Sequence, residues 1–321
     1  MSKIGSGMHL SCTCNGIVCR HTAIKHDKPD YGLTLYQKIK QDSFAHISAR
    51  TVVALFKACS QLKDLEKGLD IHAKILGVGL LEKNHFISNS LVNMYAKCGS
   101  FAKAKQVFDK IPNRNVVSWT SLISGYTEYG HNLEALDCLD RMRLEGMFRN
   151  SVTFVCSLKA CTNLGAIIKG QMLQIEIARQ GLLDTNLFVG SALVDMYAKN
   201  GDFERAQEVF HIFPFQNEVL WNTLITGFTE HGYSEKALRC FEQMQLEGIF
   251  QTTVTIISIL KAYGNINAIH KVVGIHAQIE NRGLLEDDVV VGSTLVDMYA
   301  RCGSFGQAFQ VFDKLLDRNV V

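Results

Sequence analysis

Ten cysteines and eleven histidines are the residues of this 321-residue chain best suited to metal or nucleophilic chemistry. Their spacing withholds it. No H-x-E and no C-x-x-C occurs, so the histidine, glutamate and paired cysteines of a zinc deaminase are missing. Cys12-Thr13-Cys14 offers two sulfurs where a zinc site takes four ligands. There is no Walker loop and no G-x-S-x-G. His72 and His276 share a phase at an interval of 102 residues, but Gln174 stands midway, which argues against a repeated metal site. The cysteines behave alike. Cys98 and Cys302 have Asn200 between them, Cys59 and Cys161 are followed by Tyr263, and Cys138 is matched by Cys240. A disulfide framework does not swap cysteine for Asn or Tyr, so these read as reduced, small core residues of a reducing compartment. What remains is a binding module, with no catalytic residue, metal or cofactor expected.

The elements that position any binding residues come in rotation. "LVNMYAKCGSFAKAKQVF" at Leu91 returns as "LVDMYAKNGDFERAQEVF" at Leu193 and "LVDMYARCGSFGQAFQVF" at Leu295, 102 residues apart each time. "FKAC" at Phe56 returns as "LKAC" and "LKAY", and "NVVSWTSLISGYTEYG" at Asn115 returns as "NEVLWNTLITGFTEHG" at Asn217. Trp119 and Trp221 fall at one site, as do Pro112 and Pro214. Each interval divides into units of 36, 31 and 35 residues. The expected array runs 49–84, 85–115, 116–150, 151–186, 187–217, 218–252, 253–288 and 289–319, with residues 320–321 opening a further unit. Residues 32–48 look like an eroded repeat, and residues 1–31 are an unassigned leader.

Each unit reads as a helical hairpin. In 187–217, Leu193, Met196 and Tyr197 share one helical face. Asn200-Gly201 breaks that helix, Asp202 can N-cap a second, and Phe203, Ala206, Val209 and Phe210 form its apolar stripe. Ala206, like Ala104 and Ala308, is small where two helices must approach closely. No repeat alternates with period two over a strand length. One hairpin leaves two apolar faces bare and a stack hides them, so the expected fold is all-α: a right-handed α-solenoid of stacked helix-turn-helix repeats.

Bulk properties agree. Apolar residues make up 47%, and only 3 prolines interrupt helices. A net charge of +2 neither demands nor forbids a nucleic-acid partner, since a basic groove can be local. No apolar run approaches the ~18–20 residues that span a bilayer. The leader lacks the long apolar segment of a secretory signal. It carries Ser and Thr, few acids and one arginine, Arg20, a weak likeness to organellar transit peptides.

The units resemble the pentatricopeptide repeat family, and within it the plant PLS subclass, in which 35-residue, longer and 31-residue motifs alternate. "LVDMYAKNG", "VVSWTSLISGY", "ALRCFEQMQLEG" and "LKAC" carry the resemblance, which covers 49–319. It implies sequence-selective binding of single-stranded RNA, one base per repeat, in mitochondria or chloroplasts. The fifth and last residues of a unit would meet the base edge. Here they are Asn89/Asn115, Thr120/Asn150, Ser191/Asn217, Asn222/Thr252 and Ser293/Asn319, all able to donate and accept. The second residues, Phe86, Val117, Phe188, Val219 and Val290, would clamp the base faces. In the 36-residue units the fifth residues are Val53, Val155 and Ile257, which read no edge, so these units are expected to be spacers or weak readers. By the family's rule, Thr or Ser with Asn implies adenine and Asn with Asn a pyrimidine. With a pyrimidine also assigned to Asn222/Thr252, the expected target is N-Y-A-N-A-Y-N-A.

Blander readings stand beside these. Short polar residues at helix starts are often only N-caps. The lysines of "MYAK", Lys97 and Lys199, face phosphates or solvent, and Tyr95, Tyr197 and Tyr299 read as core. Many members of the subclass carry a C-terminal deaminase-like domain, and none is present in these 321 residues. Three functions stay open: a specificity factor in organelle RNA processing or C-to-U editing, working with editing or processing proteins in trans; a helical scaffold for protein partners; and a truncated, non-functional family member. None implies a membrane or a small-molecule substrate.

Overall fold

The structure is a computed structural model that describes residues 47–79, 81, 84–213 and 216–315. Leader residues 1–31, most of the eroded repeat 32–48, Pro214 and Asn319 lie outside the described residues. Among the described residues there is no strand. The chain divides into two compact units between Phe148 and Arg149.

The first unit holds three hairpins: α1 (Ala49–Leu62) with α2 (Leu65–Val78), α3 (His85–Lys97) with α4 (Phe101–Asp109), and α5 (Val116–Glu128) with α6 (Asn132–Leu144). The second holds five: α7 (Ser151–Leu164) with α8 (Ile167–Arg179), α9 (Leu187–Lys199) with α10 (Phe203–Ile212), α11 (Glu218–Glu230) with α12 (Ser234–Leu246), α13 (Thr253–Asn265) with α14 (Ile269–Asn281), and α15 (Val289–Arg301) with α16 (Phe305–Lys314). A single helical turn, Leu284–Asp287, precedes α15. Within each unit the first helices pack side by side, α1 on α3 on α5 and α7 on α9 on α11 on α13 on α15, and each second helix packs against its own first helix. The fold is thus an all-α stack of helix-turn-helix repeats.

Local chemistry sets the hairpins. Helix α9 ends at Asn200, Gly201 takes φ 78°, and the Asp202 side chain accepts the Arg205 N–H to start α10. Gly99 and Gly303 repeat the left-handed turn at φ 73°, a conformation that costs glycine nothing. Adjacent first helices touch through their smallest residues. A Cβ placed on Gly125 would lie 2.5 Å from the Ala96 Cβ, and one on Gly227 would lie 2.7 Å from the Ala198 Cβ. Ala104, Ala206 and Ala308 are buried, as close helix approach requires.

Aromatic contacts repeat with the fold. Trp119 meets Phe108 edge-on with ring centres 4.6 Å apart, and Trp221 meets Phe210 in the same way at 4.7 Å. Phe101 stacks on Tyr126 and Phe203 on Phe228. Edge-to-face and offset pairs add to the area that such rings bury. These contacts join the second helix of one repeat to the first helix of the next, which makes neighbouring repeats interdependent.

The matched His-Gln-His series has a structural partner. Tyr95, Tyr197 and Tyr299 are fully buried, and each hydroxyl is met from the preceding repeat: by His72 Nδ1 at 2.6 Å, by Gln174 Oε1 at 2.5 Å and by His276 Nδ1 at 3.0 Å. A glutamine can take the place of histidine because the job is a hydrogen bond to a buried phenol. Burial lowers the pKa of His72 and His276 and pushes Tyr95 up to about 12. None of the seven described cysteines is in a disulfide, and burial raises Cys59 to about 12 and Cys138 and Cys240 to about 11, so these three thiols are inert packing groups.

Candidate functional site

The first helices carry their apolar side into the stack and leave one stripe outside. In α11 the stripe runs Val219, Asn222, Thr223, Thr226 and Glu230; in α9 it runs Phe188, Ser191, Ala192, Asp195 and Lys199. In the 31- and 35-residue repeats its opening residue is apolar and bare. Phe86 is 64% exposed, Phe188 80%, Val117 57%, Val219 47% and Val290 57%. A phenyl ring held in water at a helix start does nothing for the core, whereas it suits a flat apolar ligand.

The fifth residue lies one turn further in, at the edge of the buried layer. Asn89 is buried, and its Nδ2 donates to Asn115 Oδ1 at 3.2 Å. Asn222 Nδ2 donates to Thr252 Oγ1 at 2.9 Å. In these two repeats the fold brings the fifth and last residues into direct contact. In a third it does not: Ser191 Oγ is buried with no hydrogen-bond partner, while Asn217 Oδ1 accepts the Leu220 N–H at 3.1 Å. Thr120 Oγ1 donates to the Val116 carbonyl at 2.7 Å in the first compact unit, and Asn150 belongs to the second. Ser293 is exposed and donates to the Val290 carbonyl, and its counterpart Asn319 is outside the described residues.

The last residues also cap helices. Asn115, Asn150, Asn217 and Thr252 each accept a backbone N–H in the first turn of the following helix, and so do Asn84, Asn186 and Asp288. Capping therefore holds for the last residues and not for the fifth, which sit inside the helix. The two roles are compatible in asparagine. Capping occupies Oδ1, and among the described residues Asn115 Nδ2 and Asn217 Nδ2 donate to nothing.

Charge on this face differs from the simple expectation. Lys97 is held by Glu128, Lys199 by Asp195 at 2.9 Å, and Arg301 by Asp297 at 2.8 Å. The "MYAK" cations are thus in surface ion pairs. The 36-residue repeats present another set, Lys57, Lys159 and Lys261, exposed two turns after Arg50, Val152 and Val254. These three lysines are in "FKAC", "LKAC" and "LKAY"; their spacing was visible, but only the helix register puts them on the outer stripe. Val53, Val155 and Ile257 are half-buried beneath them and offer no polar group. Among the described residues no cluster of His, Cys, Asp or Glu could hold a metal ion, and no helix is long and apolar enough to cross a membrane.

Comparison with known proteins decides the family. A model of the PPR repeat family matches residues 114–163 and 216–284, and a PPR repeat model matches 86–116, 191–212 and 293–320. The chain belongs to the pentatricopeptide repeat family. Its pentatricopeptide repeat relatives include the Arabidopsis thaliana pentatricopeptide repeat-containing protein At4g18520, chloroplastic, 34% identical over 84% of this chain and 43% of that protein. Another Arabidopsis thaliana protein, pentatricopeptide repeat-containing protein At3g24000, mitochondrial, is 34% identical over 88% of this chain and 44% of its own length. The chain thus spans less than half the length of these two relatives. Among solved structures, the pentatricopeptide repeat protein PPR10 in complex with an 18-nt psaJ RNA element has a similar fold, with TM-score 0.64 and 16% identity over 92% of this chain and 49% of that one.

Proposed function

We propose that this chain is a PLS-type pentatricopeptide repeat protein that binds single-stranded RNA sequence-selectively, one base per repeat. It would act in organelles as a specificity factor for RNA processing or C-to-U editing, with any chemistry supplied elsewhere. The observation that carries the reading is the stripe on the first helices: a bare apolar residue at the second position, and beside it a small polar residue at the fifth, adjoining the cap at the end of the repeat. Bases offer a π-face and a hydrogen-bonding edge, and this stripe offers a partner for each. A peptide-binding scaffold has no need of Asn, Ser or Thr at both sites in repeat after repeat.

In this scheme Asn89/Asn115, Thr120/Asn150, Ser191/Asn217, Asn222/Thr252 and Ser293/Asn319 read edges, while Phe86, Val117, Phe188, Val219 and Val290 hold faces. The 36-residue repeats space the readers, and Lys159 and Lys261 stand exposed to meet phosphates. Organelle residence follows the relatives, whose names carry chloroplastic and mitochondrial.

The test is equilibrium binding to an oligonucleotide containing UCACAUCA, which fits N-Y-A-N-A-Y-N-A, against one of the same composition scrambled, at one stated salt concentration because phosphate contacts are salt-dependent. Preference for the matched strand is expected. Equal affinity of folded protein for both would refute base reading.

A further inference from the structure

Asn222 is not free to turn. Its Nδ2 donates to Thr252 Oγ1 at 2.9 Å, and its Oδ1 accepts from Thr255 Oγ1 at 2.5 Å. Thr252 Oγ1 and Thr255 Oγ1 are 3.2 Å apart. A hydroxyl has one hydrogen. That of Thr255 goes to Asn222, so that of Thr252 goes to Thr255, and the three side chains close a ring in which every hydrogen points the same way round. Thr252 Oγ1 also accepts the Thr255 N–H, and Thr255 Oγ1 also accepts the Thr252 N–H. Thr255 is fully buried.

The ring changes the division of labour in repeat 218–252. Thr252 has spent its hydrogen and both lone pairs within the protein. Asn222 keeps one N–H and one lone pair, in an orientation set by two partners. We propose that Thr255, the third residue of the following repeat, is a positioning residue for base recognition by Asn222, with Thr252 serving the same ring. This inference rests on the RNA-binding reading above.

A third residue that bonds back to the preceding repeat recurs along the chain; Ser118 Oγ donates to the Asn115 carbonyl at 2.8 Å. Thr51, Thr153 and Thr255 are the third residues of the three 36-residue repeats, and all are buried. Thr51 Oγ1 lies 2.8 Å from Ser48 Oγ, and Thr153 Oγ1 donates to Asn150 Oδ1 at 2.8 Å. Each hydroxyl thus reaches the last residue before its own repeat. The 31-residue repeats have Ile87, Val189 and Val291 at this position, where no such bond can form. At Thr255 the hydroxyl also reaches a fifth residue, Asn222, so on this proposal the repeat that precedes it takes its specificity from a side chain outside itself.

Thr255→Val keeps the shape and removes the hydroxyl. The experiment measures binding of the 321-residue chain to four RNAs that differ only at the sixth target position, for wild type, Thr255→Val and Thr255→Ser. One oriented hydrogen bond is worth about tenfold in affinity. Wild type is expected to prefer its best base at that position by about tenfold, Thr255→Val by about twofold, and Thr255→Ser as wild type does; preferences at the other positions stay unchanged. Undiminished preference in folded Thr255→Val, or no rescue by Thr255→Ser, overturns the assignment. Absence of RNA binding by wild type overturns the reading beneath it instead. Because the substitution also removes part of a helix cap, a measurement on wild type stands alongside. Exchange of the Asn222 side-chain amide protons, followed by NMR, is expected to be slower than that of exposed Asn113, and equal rates would contradict the ring.

Discussion

Asn89 Nδ2 donates to Asn115 Oδ1 at 3.2 Å, so the fifth residue of a repeat meets its last across 26 residues of chain. The same oxygen caps α5 by accepting the Ser118 N–H at 3.0 Å. One atom therefore serves both the fold and the candidate site, and on the proposed reading the other end of the Asn115 amide meets the base.

This double duty predicts that stability and binding can be separated at Asn115. Asn115→Ala loses the cap and is expected to cost about 1 kcal/mol of stability. Asn115→Asp keeps a capping oxygen at a helix N-terminus, where negative charge is favourable, but has no N–H to offer. Its melting temperature should match wild type while base preference at the second target position changes. Unchanged preference with Asp would remove Asn115 from the readers.

Phe188 is 80% exposed, so Phe188→Ala should leave thermal stability untouched. If the ring holds a base, the loss is about 1–3 kcal/mol of RNA affinity, or about fivefold to 150-fold. Filter binding and a melting curve on the same sample decide it. A drop in melting temperature with no change in affinity would make Phe188 structural.

Thr120 is the fifth residue of the first 35-residue repeat, and Thr120→Asn should move preference at the third target position from adenine toward a pyrimidine. A binding panel with the four bases at that position reads the outcome directly, and the assignment does not survive an unchanged order of preference.

The half-buried histidines His72 and His276 predict a pH effect on stability. Burial lowers the pKa of His72, with Lys103 and Lys110 adding to it, and lowers that of His276 against the opposing pull of Glu280. A base depressed in the folded state binds fewer protons there than in the unfolded chain. The stabilisation is full above the unfolded value of about 6.5 and is lost as pH falls toward the folded value. The melting temperature should fall between pH 7 and pH 5.5. His72→Gln with His276→Gln copies the Gln174 arrangement and should flatten that fall; an identical slope in the double variant would place the titration elsewhere.

Much of this fold was legible in the sequence because the repeat supplies its own controls. The break at Asn200-Gly201 and the cap at Asp202 are local, depending on residues within one turn, and they stand where the pattern puts them. Tyr197 reads as core from its helical phase alone. The polar pairs were less accessible. Asn222 and Thr255 are 33 residues apart on different helices, and their contact depends on how α11 and α13 lie together at the scale of one hydrogen bond. Position in a repeat says that both are near the site, but no spacing rule says that one orients the other. The pairing of Lys97 with Glu128 was hidden for the same reason, since its partner comes from the next repeat.

The most direct test of the account is selection of bound sequences from a random single-stranded RNA pool by the whole chain, at stated salt and with folding checked by circular dichroism. The account predicts enrichment of a register with adenine at the third, fifth and eighth positions, pyrimidine at the second and sixth, and no preference opposite the 36-residue repeats. A folded, monodisperse protein that enriches no motif would contradict it.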